Sequence, residues 1–169
     1  MNDPFPGIGW IQMSFPPDEY PGRLVRLRKA MEKQSLDIVL LTDPVDIEWL
    51  SGFQGNRSSQ TALAVPIQLL PLFLVSEAVH THLFATSVIR RCTTYEAGSP
   101  FTREVISMLQ SLKVNLDLVG LQVNSSHGRM FDGVRNALVR AFPCARWHDC
   151  SELVAWLRAV KSPFELECI

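Results

Sequence analysis

The sequence predicts an α/β domain of three layers, with a central mixed sheet of five or six strands and helices on both faces. In the second half of the 169-residue chain, short apolar runs alternate with amphipathic helical segments, which is the pattern of a sheet covered on both sides. In the first half, "TALAV" (61–65) and "LFLV" (72–75) flank a short connection with Pro66 and Pro71 at its ends. Proline cannot donate a ladder hydrogen bond, so these two apolar runs predict one antiparallel hairpin.

The first predicted element is a helix that begins at Asp18, after a lead-in (1–17) rich in Pro and Gly. Its apolar positions recur at helical spacing and share one face, which consists of Tyr20, Leu24, Leu27 and Met31. We expect the basic residues of this helix, Arg23 among them, to lie away from that apolar face.

The apolar run "DIVLL" (37–41) predicts a buried strand. The segment "TDPVDIEWLSGF" predicts a short helix that begins at Asp43 and Pro44 and ends at Gly52 in the left-handed conformation. The remaining predicted elements are helices near 77–86, 102–112, 128–141 and 149–160 and strands near 91–95, 117–121 and 145–148. The last helix is predicted to present Leu153, Trp156, Leu157 and Val160 on one face.

Composition and charge argue against several classes of protein: nucleic-acid-binding, membrane-spanning and secreted. The net charge is -1, and no basic face or acidic tail suggests nucleic acid or a charged partner. The longest apolar stretch, "TALAVPIQLLPLFLV", contains a glutamine and two prolines, so we expect no membrane span. The first residues carry no pattern of a signal peptide, and four cysteines in a chain this long do not predict a disulfide framework. We therefore expect a cytoplasmic protein.

Two short motifs invite a functional interpretation that their context does not support. "GIG" (7–9) lacks a preceding strand and the rest of a dinucleotide fingerprint, which favours a loop. His80 and His82 are two residues apart, and on a helix this spacing points them in different directions. A metal site would also need further ligands, so a solvated helix surface is the better interpretation.

The stretch "WHDCSE" places His148, Asp149, Cys150 and Glu152 close together in the sequence. Catalytic groups normally converge from distant segments, and neighbours on a strand alternate between faces. Asp149 or Ser151 is better explained as the cap of the following helix.

Three segments in order carry a family resemblance that covers the chain from about residue 15 to its end. These are "FPPDEYPGRLVRLRKAMEKQSLDIVLLTDPVDIEWLSGF" (15–53), the hairpin with its proline before "LFLV", and "LVAWLRAVKSPFELECI" (153–169). Together they resemble the N-terminal domain of the creatinase/prolidase family (peptidase M24, the pita-bread metallohydrolases), a fold with a ribonuclease H-like motif. Asp46, Trp49 and Ser51 stand where that family usually has Asn, Tyr and Thr. The "FPxxEYxxR" opening favours the creatinase and ectoine-hydrolase-like members over the Xaa-Pro dipeptidases and aminopeptidases P.

The resemblance also implies the domain organisation. Residues 1–161 correspond to the N-terminal domain, and residues 162–169 to the first turn of a truncated C-terminal catalytic domain. In "KSPFEL", Ser162 and Glu165 form a capping box at the start of that helix. We expect the residues from Ser162 onward to form only a stub of helix or to be poorly ordered, because the apolar surface that Phe164 and Leu166 would meet is missing. Removal of residues 164–169 should then leave the melting temperature almost unchanged.

In the family, two divalent metals (Mn, Zn or Co) are held by two Asp, one His and two Glu of the C-terminal domain. The resemblance therefore implies no cofactor and no catalytic residue in this chain. It implies a non-catalytic domain that contacts its own C-terminal catalytic domain, supports a homodimer and shapes the substrate pocket of the neighbouring subunit.

The polar loop "GFQGNRSSQ" (52–60) is where the resemblance places a substrate contact in trans. By themselves these residues predict only a mobile surface turn. The resemblance implies that Phe53 and Arg57 reach the neighbour's substrate. Two alternatives remain open: a stand-alone protein-binding module of peptidase-like fold without catalysis, and a nucleotide-binding protein of flavodoxin type. Against the second alternative, "TDPVD" places carboxylates after the first strand, and these would repel phosphate.

Overall fold

The computed structural model describes residues 14–55, 59–122 and 131–167. Within them the chain forms six strands and seven α-helices in the predicted order. The strands are β1 (Ile38–Leu41), β2 (Ala62–Pro66), β3 (Leu72–Ser76), β4 (Cys92–Tyr95), β5 (Leu118–Leu121) and β6 (Arg146–Asp149). The helices are α1 (Glu19–Lys33), α2 (Pro44–Ser51), α3 (His80–Thr86, after a 3₁₀ turn at Glu77–Val79), α4 (Phe101–Ser111), α5 (Phe131–Ala141), α6 (Ser151–Ala159) and α7 (Pro163–Glu167).

The six strands form one mixed sheet in the order β4-β3-β2-β1-β5-β6. The predicted hairpin of β2 and β3 is confirmed, and β2 is also antiparallel to β1. The other pairings are parallel, so β2 is the one reversed strand among the described residues. Pro66 lies at the end of β2, where a missing N–H disturbs the ladder least.

Side chains of successive strand residues point to opposite faces of the sheet, and they form two hydrophobic cores, one on each face. Val39 and Leu41 of β1 pack with side chains of α1, α2, α3 and α6. Ile38 and Leu40 pack on the other face with side chains of α4 and α5. Since successive residues of a strand point to opposite faces, this division confirms the predicted three-layer α/β/α architecture.

Helix α1 buries Tyr20, Leu27 and Met31 as predicted, and it also buries Arg23 completely. The prediction that Arg23 lies away from the apolar face is wrong. Position 23 is three residues after Tyr20 and four before Leu27, so helical geometry places its Cβ on the same stripe.

The predicted ends of α2 are confirmed. The carboxylate of Asp43 accepts a hydrogen bond from the Val45 amide at 2.8 Å, and Pro44 occupies the first turn. Gly52 ends the helix with a φ of 79°, which a residue with a Cβ rarely adopts. No helix in the described part of the chain has the length and apolar character needed to cross a membrane.

Helix α6 differs from its prediction in the face that it buries. Val154 and Leu157 are in the core, whereas Trp156 is 65% exposed and Val160 is 45% exposed. The apolar stripe of the sequence is thus wider than the core requires, and part of it faces water.

Gly120 in β5 provides a test of packing between the sheet and the α1/α6 layer. An added Cβ would lie 3.0 Å from Cγ2 of Val39, 3.3 Å from Cδ1 of Leu36 and 3.4 Å from Cβ of Cys150. Overpacking of this kind typically costs about 1–3 kcal/mol, so Gly120→Ala should lower the melting temperature by roughly 2–12 °C. Gly22→Ala in α1 is the control, because no atom lies within 4 Å of its added Cβ and Ala is the better helix former. Equal melting curves for the two variants would contradict this account of the packing.

Candidate functional site

The carboxyl ends of β1 and β5 form a switch point of the sheet. These strands are parallel neighbours, and the helices that follow them, α2 and α5, pack on opposite faces of the sheet. In open α/β sheets such a switch point leaves a crevice in which ligands bind.

In this chain the side chain of Gln122 occupies that crevice. Its Oε1 accepts hydrogen bonds from the backbone amides of Thr42 and Asp43, at 3.2 Å each. Its Nε2 donates to the carboxylate of Asp46, and the residue is 1% exposed. Two backbone donors at this edge, the amides of Thr42 and Asp43, are therefore already paired within the protein.

Asp46 links this crevice to α6. Its second carboxylate oxygen accepts a hydrogen bond from Nη1 of Arg158 at 2.7 Å. Burial raises the pKa of Asp46 and outweighs the opposing contact with Arg158, and the charge of Asp43 raises it further. Both oxygens are engaged, so the side chain ties α2 to α6 and to the end of β5.

Arg23 forms a second buried cluster at the start of α1. Its Nη1 donates to the carbonyl oxygen of Trp49 at 2.6 Å, and its Nη2 donates to Oε1 of Glu165 at 2.8 Å. The guanidinium carbon also lies 4.3 Å from the ring centroid of Phe15 and 5.0 Å from that of Tyr20. A buried charge requires such partners, and here they come from the segment before α1 and from α1, α2 and α7.

Glu165 uses its two carboxylate oxygens for different contacts. Oε2 accepts from the Ser162 amide at 2.7 Å and the Glu165 amide donates to Oγ of Ser162 at 3.1 Å, which confirms the predicted capping box. Oε1 meets Arg23. Burial by itself would raise the pKa of Glu165, but the Ser162 amide and the charge of Arg23 outweigh it and hold the pKa below its ordinary value.

The expected stub of helix is present as α7. The sequence did not predict its polar contact with the domain, in which the Glu165 carboxylate is buried against α1. Its neighbour Leu166 is 62% exposed, so α7 contacts the domain through one side only.

Of the two residues with a predicted role in trans, Phe53 and Arg57, the structure describes only Phe53. Phe53 is fully buried in its own domain, with its ring centroid 5.4 Å from that of Phe73 in an edge-on contact. Arg57 lies outside the described residues. The contact of this loop with a neighbouring subunit stays a prediction.

The two histidines of α3 have local partners. Nε2 of His82 lies 2.9 Å from the carbonyl oxygen of Gln54, and the His80 ring stacks edge-on against Phe84. Among the residues that the structure describes, no group of three or more His, Cys, Asp or Glu side chains is placed to hold a metal ion. The "GIG" motif lies in the part of the chain that is not described.

The "WHDCSE" stretch spans the end of β6 and the start of α6. The N-cap position of α6 is Cys150, so the prediction of Asp149 or Ser151 at that position is wrong by one residue. The carboxylate of Asp149 nevertheless accepts hydrogen bonds from the Ser151 amide at 2.9 Å and from the Ser151 hydroxyl at 2.6 Å, at the first residue of the helix. Cys150 is buried, and desolvation, followed by the charge of Asp149, raises the pKa of its thiol to about 12. A thiol with that pKa is not a nucleophile near neutral pH.

The fold and its buried polar clusters define an α/β domain whose internal charges hold its own helices together. The chain belongs to the Creatinase/Prolidase N-terminal domain family, whose sequence profile matches residues 23–160. This confirms the family resemblance found in the three sequence segments.

This chain covers different shares of the length of the proteins that it resembles. It is 23% identical to the ectoine hydrolase of Halomonas elongata over 167 residues, which cover 93% of this chain and 41% of the relative. The dipeptidase PepE of Mycobacterium ulcerans has the same fold, with a TM-score of 0.69 and 18% identity over 90% of this chain and 40% of that one. The N-terminal domain of an X-Pro dipeptidase from Streptococcus pyogenes matches with a TM-score of 0.65 and 15% identity, over 80% of this chain and 98% of that one. The chain thus spans about two fifths of the ectoine hydrolase and nearly all of a solved N-terminal domain.

Proposed function

We propose that this chain is the non-catalytic N-terminal domain of a metal-dependent hydrolase that cleaves C–N bonds, of the Xaa-Pro peptidase or creatinase/ectoine-hydrolase type. The observation that carries the proposal is the pattern of coverage: the profile of an N-terminal domain family matches residues 23–160, and the match covers only 41% of the ectoine hydrolase. The parent polypeptide works in the cytoplasm as a homodimer, and its reaction takes place in the C-terminal domain.

The metals of the reaction fit that C-terminal domain better than this one. Three carboxylates are buried in the described residues. Asp46 and Glu165 are each held in an ion pair with an arginine, and Asp43 caps α2. A carboxylate in such a pair would have to leave an arginine buried or half-buried without its partner in order to bind a metal. Two divalent ions in the C-terminal domain would activate a water molecule and polarise the scissile carbonyl.

The role proposed for this domain is support of the dimer and of a neighbour's substrate pocket. The loop at 52–60 follows α2, whose position is set by Asp46 and by the Trp49 carbonyl that Arg23 holds. Arg57 suits contact with a substrate carboxylate because its planar fork can donate two charge-assisted hydrogen bonds.

The test compares residues 1–169 with the longer polypeptide. The chain alone should hydrolyse neither Xaa-Pro dipeptides nor creatine nor ectoine, and calorimetry should detect no stoichiometric binding of Mn²⁺, Zn²⁺ or Co²⁺ at micromolar concentration. The longer polypeptide should hydrolyse one of these substrates, lose that activity on chelation and regain it when the metal is returned. A longer polypeptide that lacks the five metal ligands and hydrolyses none of them would favour the protein-binding module instead.

A further inference from the structure

Three exposed apolar side chains lie where α6 leads into α7. They are Trp156, Val160 and Leu166, with exposures of 65%, 45% and 62%, and we call this surface the α6–α7 corner. A tryptophan normally buries a large area, and exposed apolar side chains on adjoining elements can form an interaction surface. The domain's own core does not use these side chains.

The geometry of the chain brings the first two together. Val160 follows Trp156 by one helical turn, and its amide donates to the Trp156 carbonyl at 3.2 Å. Leu166 belongs to α7, which lies beyond residue 160, where the match to the family domain ends. The corner therefore joins the last helix of the matched domain to a helix outside it.

Three polar contacts hold the corner rigidly on the domain. Arg26 of α1 donates to the carbonyl oxygen of Val160 at 3.1 Å. The pair of Arg158 with Asp46 fixes α6, and the pair of Glu165 with Arg23 fixes α7. A surface held in place before binding loses little conformational entropy when a partner covers it, and tryptophan is enriched at the centres of such surfaces.

We propose that the α6–α7 corner is the surface on which the C-terminal catalytic domain of the same polypeptide packs. This inference rests on the proposed function, since it takes its partner from there. The family domain is an N-terminal domain that ends at residue 160, and this chain covers only 41% of the ectoine hydrolase, so the proposed C-terminal domain would follow. Helix α7 would be the connection to it. A partner tethered at the corner has a high effective concentration there, so a small apolar surface is sufficient to hold it.

Hydroxyl-radical labelling read by mass spectrometry tests the proposal directly. The oxidation rate of Trp156 should be at least about fivefold lower in the longer polypeptide than in residues 1–169. Phe84 on α3 and Val139 on α5 are exposed at 41% and 42% away from the corner, and their rates should not change. An unchanged rate at Trp156 would overturn the proposal.

A matched pair of substitutions separates the corner from general effects of a surface charge. In the longer polypeptide, Val160→Asp should return the Trp156 oxidation rate towards its value in residues 1–169, whereas Val139→Asp, at a position of similar exposure, should leave it low. Protection of Trp156 in residues 1–169 that grows with protein concentration would show a second copy as the occupant and overturn the proposal.

The outcomes also separate this inference from the proposed function. If Trp156 is unprotected in a longer polypeptide that shows metal-dependent hydrolysis, the proposed packing of the C-terminal domain on the α6–α7 corner is wrong. The proposed function is then still supported. A protected Trp156 in a polypeptide without hydrolysis supports the contact between domains and overturns the catalytic assignment of the partner.

Discussion

Replacing Arg23 with methionine should lower the free energy of unfolding by about 3–5 kcal/mol, because it leaves the buried Glu165 carboxylate without its cation. It also leaves the Trp49 carbonyl without its side-chain donor. In a domain of this size the melting temperature should fall by roughly 6–20 °C. Lys29→Met is the control: it removes a positive charge from an exposed position of the same helix and should cost less than about 0.5 kcal/mol.

The pH dependence of stability gives this prediction an independent readout. Because the fold lowers the pKa of Glu165, its stabilising contribution is complete above the ordinary glutamate value of 4.5 and is lost as pH falls through the lower, folded-state pKa. Asp46 contributes to the pH dependence with the opposite sign. Because the fold raises its pKa, it favours the folded state at low pH and this contribution is lost as pH rises through the folded-state pKa. Comparison with Glu165→Gln, which should lose less stability over the same acid range, isolates the Glu165 contribution. If Arg23→Met and Lys29→Met unfold alike, or if Glu165→Gln matches the wild type at every pH, the pair does not stabilise the domain.

The second large effect is expected on catalysis. Arg57→Ala in the longer polypeptide should lower kcat/KM by roughly 30- to 1000-fold, equivalent to about 2–4 kcal/mol of transition-state binding. The reason is the loss of a two-pronged contact with a substrate carboxylate at the pocket mouth. The unfolding midpoint should barely move, since a surface substitution away from the core usually changes stability by less than about 0.5 kcal/mol.

Mixed dimers show whether the contact is made in trans. A subunit with Arg57→Ala is paired with one whose metal ligands are removed, so that the intact active site can receive Arg57 only from its neighbour. About half of the wild-type activity per dimer supports the trans arrangement, whereas activity as low as that of the Arg57→Ala homodimer indicates a contact in cis. Arg103→Ala, at an exposed position on α4, controls for loss of a surface guanidinium. Activity of Arg57→Ala within threefold of wild type would make Arg57 an ordinary surface residue.

Local rules in the sequence predicted the parts of this fold that depend on near neighbours. The Asp43–Pro44 start of α2, its Gly52 end and the capping box of α7 each depend on residues within one turn. The apolar runs predicted β1, β2 and β3 because strands buried on both faces are continuous apolar runs, here short and bounded by turn residues. The antiparallel pairing of β1 with β2 was not predicted, because pairing between strands depends on the whole sheet.

The polar clusters were harder to predict because their partners are far apart in the chain. Arg23 had a usable signal, since its spacing from Tyr20 and Leu27 places it on the apolar face of α1. Gln122 had none, because one glutamine after a strand does not indicate which backbone amides it will meet. The exposed side of α6 also escaped prediction, since periodicity alone does not distinguish apolar residues that face the core from those that face another surface.

The separation of Arg23 from Glu165 has a consequence for the order of events during translation. The two residues are 142 positions apart, and at about 5–20 residues per second the ribosome needs roughly 7–30 s to reach the second after the first. Throughout that interval the guanidinium of α1 has no carboxylate from α7 to meet. The nascent N-terminal domain therefore completes its buried ion pair only when the segment beyond the family domain leaves the exit tunnel.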